Sequence, residues 1–140
     1  MPDEYAEDCL KGVPNEKFIF GNSVVYTLFI PPSGRAVNGW RESSINWELD
    51  RLAITELLNR RKGDEFHFKA GVVRIPRSEL DDIIQHFKIH DQFRYERKEK
   101  PDNRYHGNLL FIETMDKELR DTICGALSRA VTGRIERDGE

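Results

Sequence analysis

The apolar positions fall into short runs that predict five strands and three helices. Lys17–Phe20 and Ser23–Ile30 read as strands, joined by Gly21-Asn22, a pair that tolerates the positive φ of a tight hairpin. The second strand is apolar at both alternating positions through Val24, Val25, Tyr26, Leu28, Phe29 and Ile30, which predicts a central strand covered on both faces. Residues 31–44 carry Pro31, Pro32, Gly34 and Gly39 and read as one long irregular segment. A helix is predicted from Trp47 to Lys62, with Asn46 as its N-cap and Gly63 just past its end. Glu65–Ile75 reads as a strand with Phe66 and Phe68 on one side, stopped by Pro76.

Ser78 is the predicted cap of a second helix, in which Leu80, Ile83, Ile84 and Phe87 make one apolar stripe. Gln92–Lys98 and Tyr105–Glu113 form a hairpin around Pro101-Asp102-Asn103, with Phe93 and Tyr95 on one face and Arg94, Glu96 and Lys98 on the other. Asp116 caps the last helix, which places Leu119, Ile123, Ala126, Leu127 and Ala130 together. The order ββ-α-β-α-ββ-α predicts an α+β fold: a single-domain two-layer sandwich with a mostly antiparallel five-stranded sheet and its helices mainly on one face. The β-α-β section from Glu65 to Lys98 leaves room for one parallel pair. Residues 1–16 read as a polar N-terminal lead-in, 17–131 as the single domain and 132–140 as a polar C-terminal tail.

Composition narrows the setting. The 140 residues hold 22 Lys+Arg against 25 Asp+Glu, with 38% hydrophobic and 34% charged residues. No apolar run approaches the roughly 20 residues of a membrane-spanning helix, so no membrane partner is expected. The acidic N-terminus, Met1 to Asp8, lacks the basic-then-apolar order of a signal peptide. Cys9 and Cys124 stand far apart, which fits a reducing, cytoplasmic setting better than a disulfide framework.

Charge is unevenly spread. Residues 1–50 carry four basic and eight acidic side chains, whereas residues 60–77 carry six basic and two acidic ones. An overall acidic chain is a poor default for binding nucleic acid, although the basic stretch keeps such binding open.

Three places could hold chemistry. In the 31–44 segment, Arg35 and Arg41 can fork onto carboxylate or phosphate beside Trp40. Asp50 falls within the apolar arc of the first predicted helix, where a carboxylate needs a partner. Together these four residues make a candidate anionic-ligand site. The 93–106 hairpin interleaves Arg94, Arg97, Lys98, Arg104, Tyr105 and His106 with further aromatics, a mixture suited to single-stranded nucleic acid, with His106 available as an acid or base. Glu96, Glu99 and Asp102 dilute that charge, and mixed signs on an outer strand face also block edge-to-edge pairing.

Asp82, His86 and His90 follow at i, i+4 and i+8, but no cysteine or His-Glu-x-x-His context joins them. No metal or other cofactor is expected, and no glycine-rich phosphate loop or nucleophile elbow occurs.

The leading expectation is therefore a small cytoplasmic binding or regulatory domain with a protein partner or itself, as a homo-oligomer. A nucleic-acid-binding protein or small nuclease working through the hairpin is the first alternative. An anionic-ligand-binding domain or enzyme working through residues 31–44 and Asp50 is the second.

Overall fold

A computed structural model describes residues 7–137. In chain order the elements are β1 (Cys9–Gly12), β2 (Ile19–Phe20), β3 (Ser23–Val24), β4 (Trp40–Trp47), α1 (Leu52–Asn59), β5 (Arg61–Lys62), β6 (Glu65–Phe66), β7 (Val72–Ile75), α2 (Arg77–Phe87), β8 (Phe93–Arg97), β9 (His106–Ile112), α3 (Lys117–Ala130) and β10 (Gly133–Ile135). The α+β class holds. The main sheet has six strands rather than five, ordered β10-β7-β1-β4-β9-β8, and every pairing in it is antiparallel.

Two strands of this sheet come from the ends of the chain, where no strand was expected. The polar lead-in contributes β1, which lies between β7 and β4, and the tail contributes β10, the edge strand beside β7. Both are short, four and three residues, which makes them hard to single out as strands from sequence.

Side chains alternate across β1 and β7 and so divide the core. Cys9, Val73 and Ile75 face one side, with Leu80 and Ile83 of α2 and Ile123, Cys124 and Leu127 of α3. Leu10 and Val72 face the other side, with Ala53 and Leu57 of α1 and Tyr105. Two of the three helices thus share a face, and α1 covers part of the other. The larger core closes on Trp47, Phe29, Phe93 and Phe111, each at most 1% exposed.

Several boundaries moved for identifiable reasons. Ser23–Ile30 is not a central strand: after a two-residue β3 paired with β2, Tyr26–Phe29 turns into a 3-10 helix that packs under α3. Its apolar positions are satisfied by burial against a helix, which periodicity alone cannot distinguish from a sheet core.

The 31–44 segment is irregular only at its start. Asn38 and Gly39 adopt φ of 52° and 85°, closing a two-residue turn in which Val37 and Trp40 exchange backbone hydrogen bonds of 2.8 and 3.0 Å. From Trp40 the chain runs into β4, the longest strand.

The first helix begins at Leu52 instead of Trp47, with Arg51 rather than Asn46 at its N-cap; just before it, Asp50 Oδ1 accepts from the Leu52 N–H at 2.8 Å. Asn46 lies in β4. Gly63, with φ of 66°, turns the β5–β6 hairpin.

The predicted Glu65–Ile75 strand is two strands interrupted near Gly71. There φ is 95°, and a Cβ would lie 2.3 Å from the Ile135 carbonyl oxygen. Pro76, not Ser78, occupies the N-cap of α2, and Asp116 caps α3 as expected through a 2.8 Å bond from the Leu119 N–H.

Candidate functional site

The residues predicted as sites separate into distinct places. Trp40 and Arg41 open β4, whereas Asp50 follows its far end, so strand length keeps the proposed anionic-ligand set apart. Arg35 is exposed, and Arg41 Nη1 donates to the Gly34 carbonyl at 2.5 Å, tying the turn together. The Arg94 guanidinium lies 4.4 Å from the centroid of the Trp40 ring, joining two residues from different predicted sites.

Asp50 is joined by the hairpin instead. Tyr105 Oη donates to Asp50 Oδ1 at 2.9 Å, and Arg104 donates to Asp50 Oδ2 and, at 2.8 Å, to the Tyr105 hydroxyl. The tyrosine hydrogen bond, with the Leu52 amide and the Arg104 charge, holds the Asp50 carboxyl below its usual pKa. This cluster is half structural by construction, since the same carboxylate starts α1. Two other hairpin cations are paired as well: Arg97 with Glu7, and Lys98 with Glu42 at 3.7 Å.

Lys88 ends α2 in the left-handed conformation, so His90 leaves the helical row of Asp82 and His86. Among the described residues no group of three His, Cys, Asp or Glu side chains could hold a metal ion. No described helix is long and apolar enough to cross a membrane. Cys9 and Cys124 are buried and free, and burial raises both thiols, Cys124 to about 12.

The main feature lies elsewhere, at a seam in the sheet. β1 and β4 pair only at Cys9↔Trp47 and Leu10↔Asn46. Beyond Leu10 the ladder with β4 stops, although β1 stays paired with β7 through Gly12. Lys11 reaches across the opening, and its Nζ donates to the Ser44 carbonyl at 2.6 Å. The ammonium supplies the hydrogen bond that a backbone amide would have made there.

A cleft of about 470 Å³ occupies this seam. Three cationic side chains, Lys11, Arg60 and Lys100, line it with a single carboxylate, Asp102, which Arg60 binds at 2.9 Å. His67 and His106 also line it, as do apolar residues between Phe18 and Pro32.

Each polar group here is set by its element. His106 is the cross-strand partner of Asn46 and is 8% exposed. Its Nδ1 lies 3.1 Å from the Lys98 carbonyl oxygen, which can only accept, so Nδ1 carries the proton and Nε2 presents a lone pair. Burial lowers its pKa and favours this neutral form. The His67 ring stacks on Phe68, 4.3 Å between centroids, and Phe68 in turn lies on Gly12, where a Cβ would come within 2.4 Å of its ring. Burial and the charges of Lys62, Arg60 and Lys11 lower the pKa of His67.

Asn46 is 4% exposed and accepts from Asn103 Nδ2 at 3.4 Å, yet its own Nδ2 is buried with no partner. Lys11 has no carboxylate partner among the described residues, and burial lowers its pKa to about 8.

Of the cleft residues, only His106 stood out in the sequence as a chemical candidate. Lys11 had a readable signal: alternation through Cys9-Leu10-Lys11-Gly12-Val13 puts the lysine on the face of Cys9 and Val13, both fully buried. His67 gave none, because its place depends on how the chain between β6 and β7 folds over Gly12.

No protein family matches the chain, and no curated protein or solved structure is detectably similar to it.

Proposed function

We propose that this protein binds a small anionic ligand in the cleft at the β1–β4 seam. The observation that carries this reading is the Lys11 ammonium, set between strands without a carboxylate partner among the described residues, in a cleft where cations outnumber acids. A partly buried charge left without a counter-ion is costly, and an anion entering the cleft reduces that cost. Lys100 adds to the attraction, and the buried Asn46 Nδ2 and the neutral imidazoles offer a donor and acceptors for the uncharged part of a ligand. The volume suits a metabolite rather than a folded partner. The reading keeps the anionic-ligand class expected from the sequence but moves it from Arg35, Trp40, Arg41 and Asp50 to Lys11, Arg60, His67, Lys100 and His106.

A protein-partner or self-association role has less to support it. The exposed large apolar side chains, Phe20, Tyr26, Val37 and Leu52, sit on four different segments. Nucleic-acid binding through the hairpin would require Lys98 and Arg104 to exchange carboxylates they already hold.

Thermal unfolding with inorganic phosphate, pyrophosphate and citrate, each against sodium chloride at matched ionic strength, tests the proposal. A saturable rise in midpoint with at least one of these anions, lost in Lys11→Met, is expected. Equal responses to all salts would overturn it.

A further inference from the structure

We propose that the outer edge of β8 recognises itself: two copies of this chain pair antiparallel through it, about a two-fold axis at Tyr95. The inference is independent of the β1–β4 cleft.

The open edge comes from the topology. β8 ends the six-stranded sheet, with β9 on one side and no strand among the described residues on the other. The Ile112 N–H donates to the Gln92 carbonyl at 2.9 Å, and the Lys98 N–H to the His106 carbonyl at 2.8 Å. Antiparallel ladders alternate, so the even-numbered residues of β8 bond to β9 and the odd-numbered ones turn their N–H and C=O groups outward. The Phe93 N–H is taken by the Ile89 carbonyl at 2.8 Å. At the strand centre, the Tyr95 N–H and C=O have no partner among the described residues.

Proteins commonly blunt such an edge with proline, with a bulge or by shortening the strand. β8 reads Phe93-Arg94-Tyr95-Glu96-Arg97, without proline, and its register with β9 runs unbroken through all five residues. The opposite edge strand, β10, has only three.

Charge selects the occupant. Phe93 packs on Phe111 with 4.9 Å between ring centroids, and Tyr95 packs on Trp47 at 5.6 Å, so alternation puts Arg94 and Glu96 together on the other face. Among the described residues neither of these two holds an ion pair, whereas Arg97 and Lys98 beside them do. Pairing centred on Tyr95 sets Arg94 opposite the partner's Glu96 and Glu96 opposite the partner's Arg94, so symmetry matches both charges twice. Centring on Arg94 would set that arginine against its own copy. Centring on Glu96 would set Glu96 against its own copy and Arg94 against the partner's Lys98. The mixed charge that rejects other pairings therefore admits one register of this strand with itself.

The two matched pairs fall between the new backbone hydrogen bonds, where facing side chains lie closest. The Arg94 guanidinium rests on the Trp40 ring, 4.4 Å from its centroid, and the partner's Glu96 supplies the carboxylate that this contact does not. Backbone groups and charge carry the association, so it needs no apolar patch. A two-fold axis normal to the sheet joins the two six-stranded sheets into one and keeps α2 and α3 of both copies on the same face.

Sedimentation equilibrium of the full chain over a wide concentration range tests the proposal. A reversible shift from 16.4 kDa to twice that mass is expected. Arg94→Glu and Glu96→Arg should each weaken the dimer about tenfold, and the double variant Arg94→Glu/Glu96→Arg should restore it. Arg94→Glu alone and the double variant both lose the stack on Trp40, so only the pairing across the edge separates them. Far-UV circular dichroism checks that all four proteins share one fold. A native chain that stays monomeric throughout, a dimer that the single variants leave intact, or a double variant as weak as the singles would each overturn the proposal.

Discussion

Lys11 Nζ donates to the Ser44 carbonyl oxygen at 2.6 Å, across a gap where β1 and β4 have ceased to pair. A side chain thereby closes a ladder that backbone groups leave open. The same contact places a cation at a gap in the sheet with no acid beside it among the described residues, which ties the stability of the molecule to the protonation of one amine.

That link gives a pH dependence. The folded state holds Lys11 at about 8 against an ordinary 10.5, so between those values the unfolded chain binds more protons. Stability contributed through this group therefore rises as pH increases from about 8 to 10.5 and is flat below that window. Relative to Lys11→Met, the native protein should gain stability across the window. Urea midpoints of both proteins at pH 7, 9 and 10.5 check it, and a constant difference would contradict the assignment.

Gly107 should not tolerate a side chain. A Cβ there would lie 2.3 Å from Trp47 Nε1 and 2.5 Å from the Glu96 carbonyl oxygen. Gly107→Ala is expected to destabilise the protein by about 1–3 kcal/mol through overpacking. Trp47→Phe removes the indole nitrogen, so the double variant should be less unstable than the sum of the two singles. The Glu96 carbonyl keeps the rescue partial. Chemical denaturation of the four proteins measures the coupling.

The Asp50 carboxyl owes its lowered pKa first to the Tyr105 hydroxyl. Tyr105→Phe should move the Asp50 titration upward, as read by carboxyl-carbon NMR. A group whose folded pKa is depressed stabilises above its ordinary value, here 3.8, and loses that contribution as pH falls through the folded pKa. The gap in stability between the native protein and Tyr105→Phe should accordingly narrow in acid.

Cys9 and Cys124 are both 0% exposed, and burial raises both thiols. A thiolate-selective reagent such as dithionitrobenzoate should leave both untouched in the native protein and titrate both promptly in guanidinium. Fast labelling of either one under native conditions would show that α3 or β1 opens readily.

Much of the architecture could be read along the chain. The α3 stripe, the Asp116 cap and the β8–β9 hairpin with Phe93 and Tyr95 facing inward depend on neighbours three or four residues away, or on one strand's own alternation. Those signals are local, and so was the α+β class. The hidden signals were the short ones. Asn38-Gly39 is a strong turn pair, yet the prolines and glycines around it made the whole stretch read as a loop. Asp50 falls on an apolar arc only if the helix runs from Trp47; lying before α1, it answers to the Leu52 amide and to Tyr105, a residue 55 positions away.

The sequence alone determined what each segment could bury, how it could turn and which chemistry it carried, because those properties follow from side-chain type and spacing. Tertiary structure alone decided that β1 leaves β4 after Leu10. It also decided that Lys11 from the lead-in, His67 from a connecting loop and His106 from the hairpin line one cleft there. Strand order and the point where a ladder parts are set by the packing of distant segments against one another, and no local pattern records them.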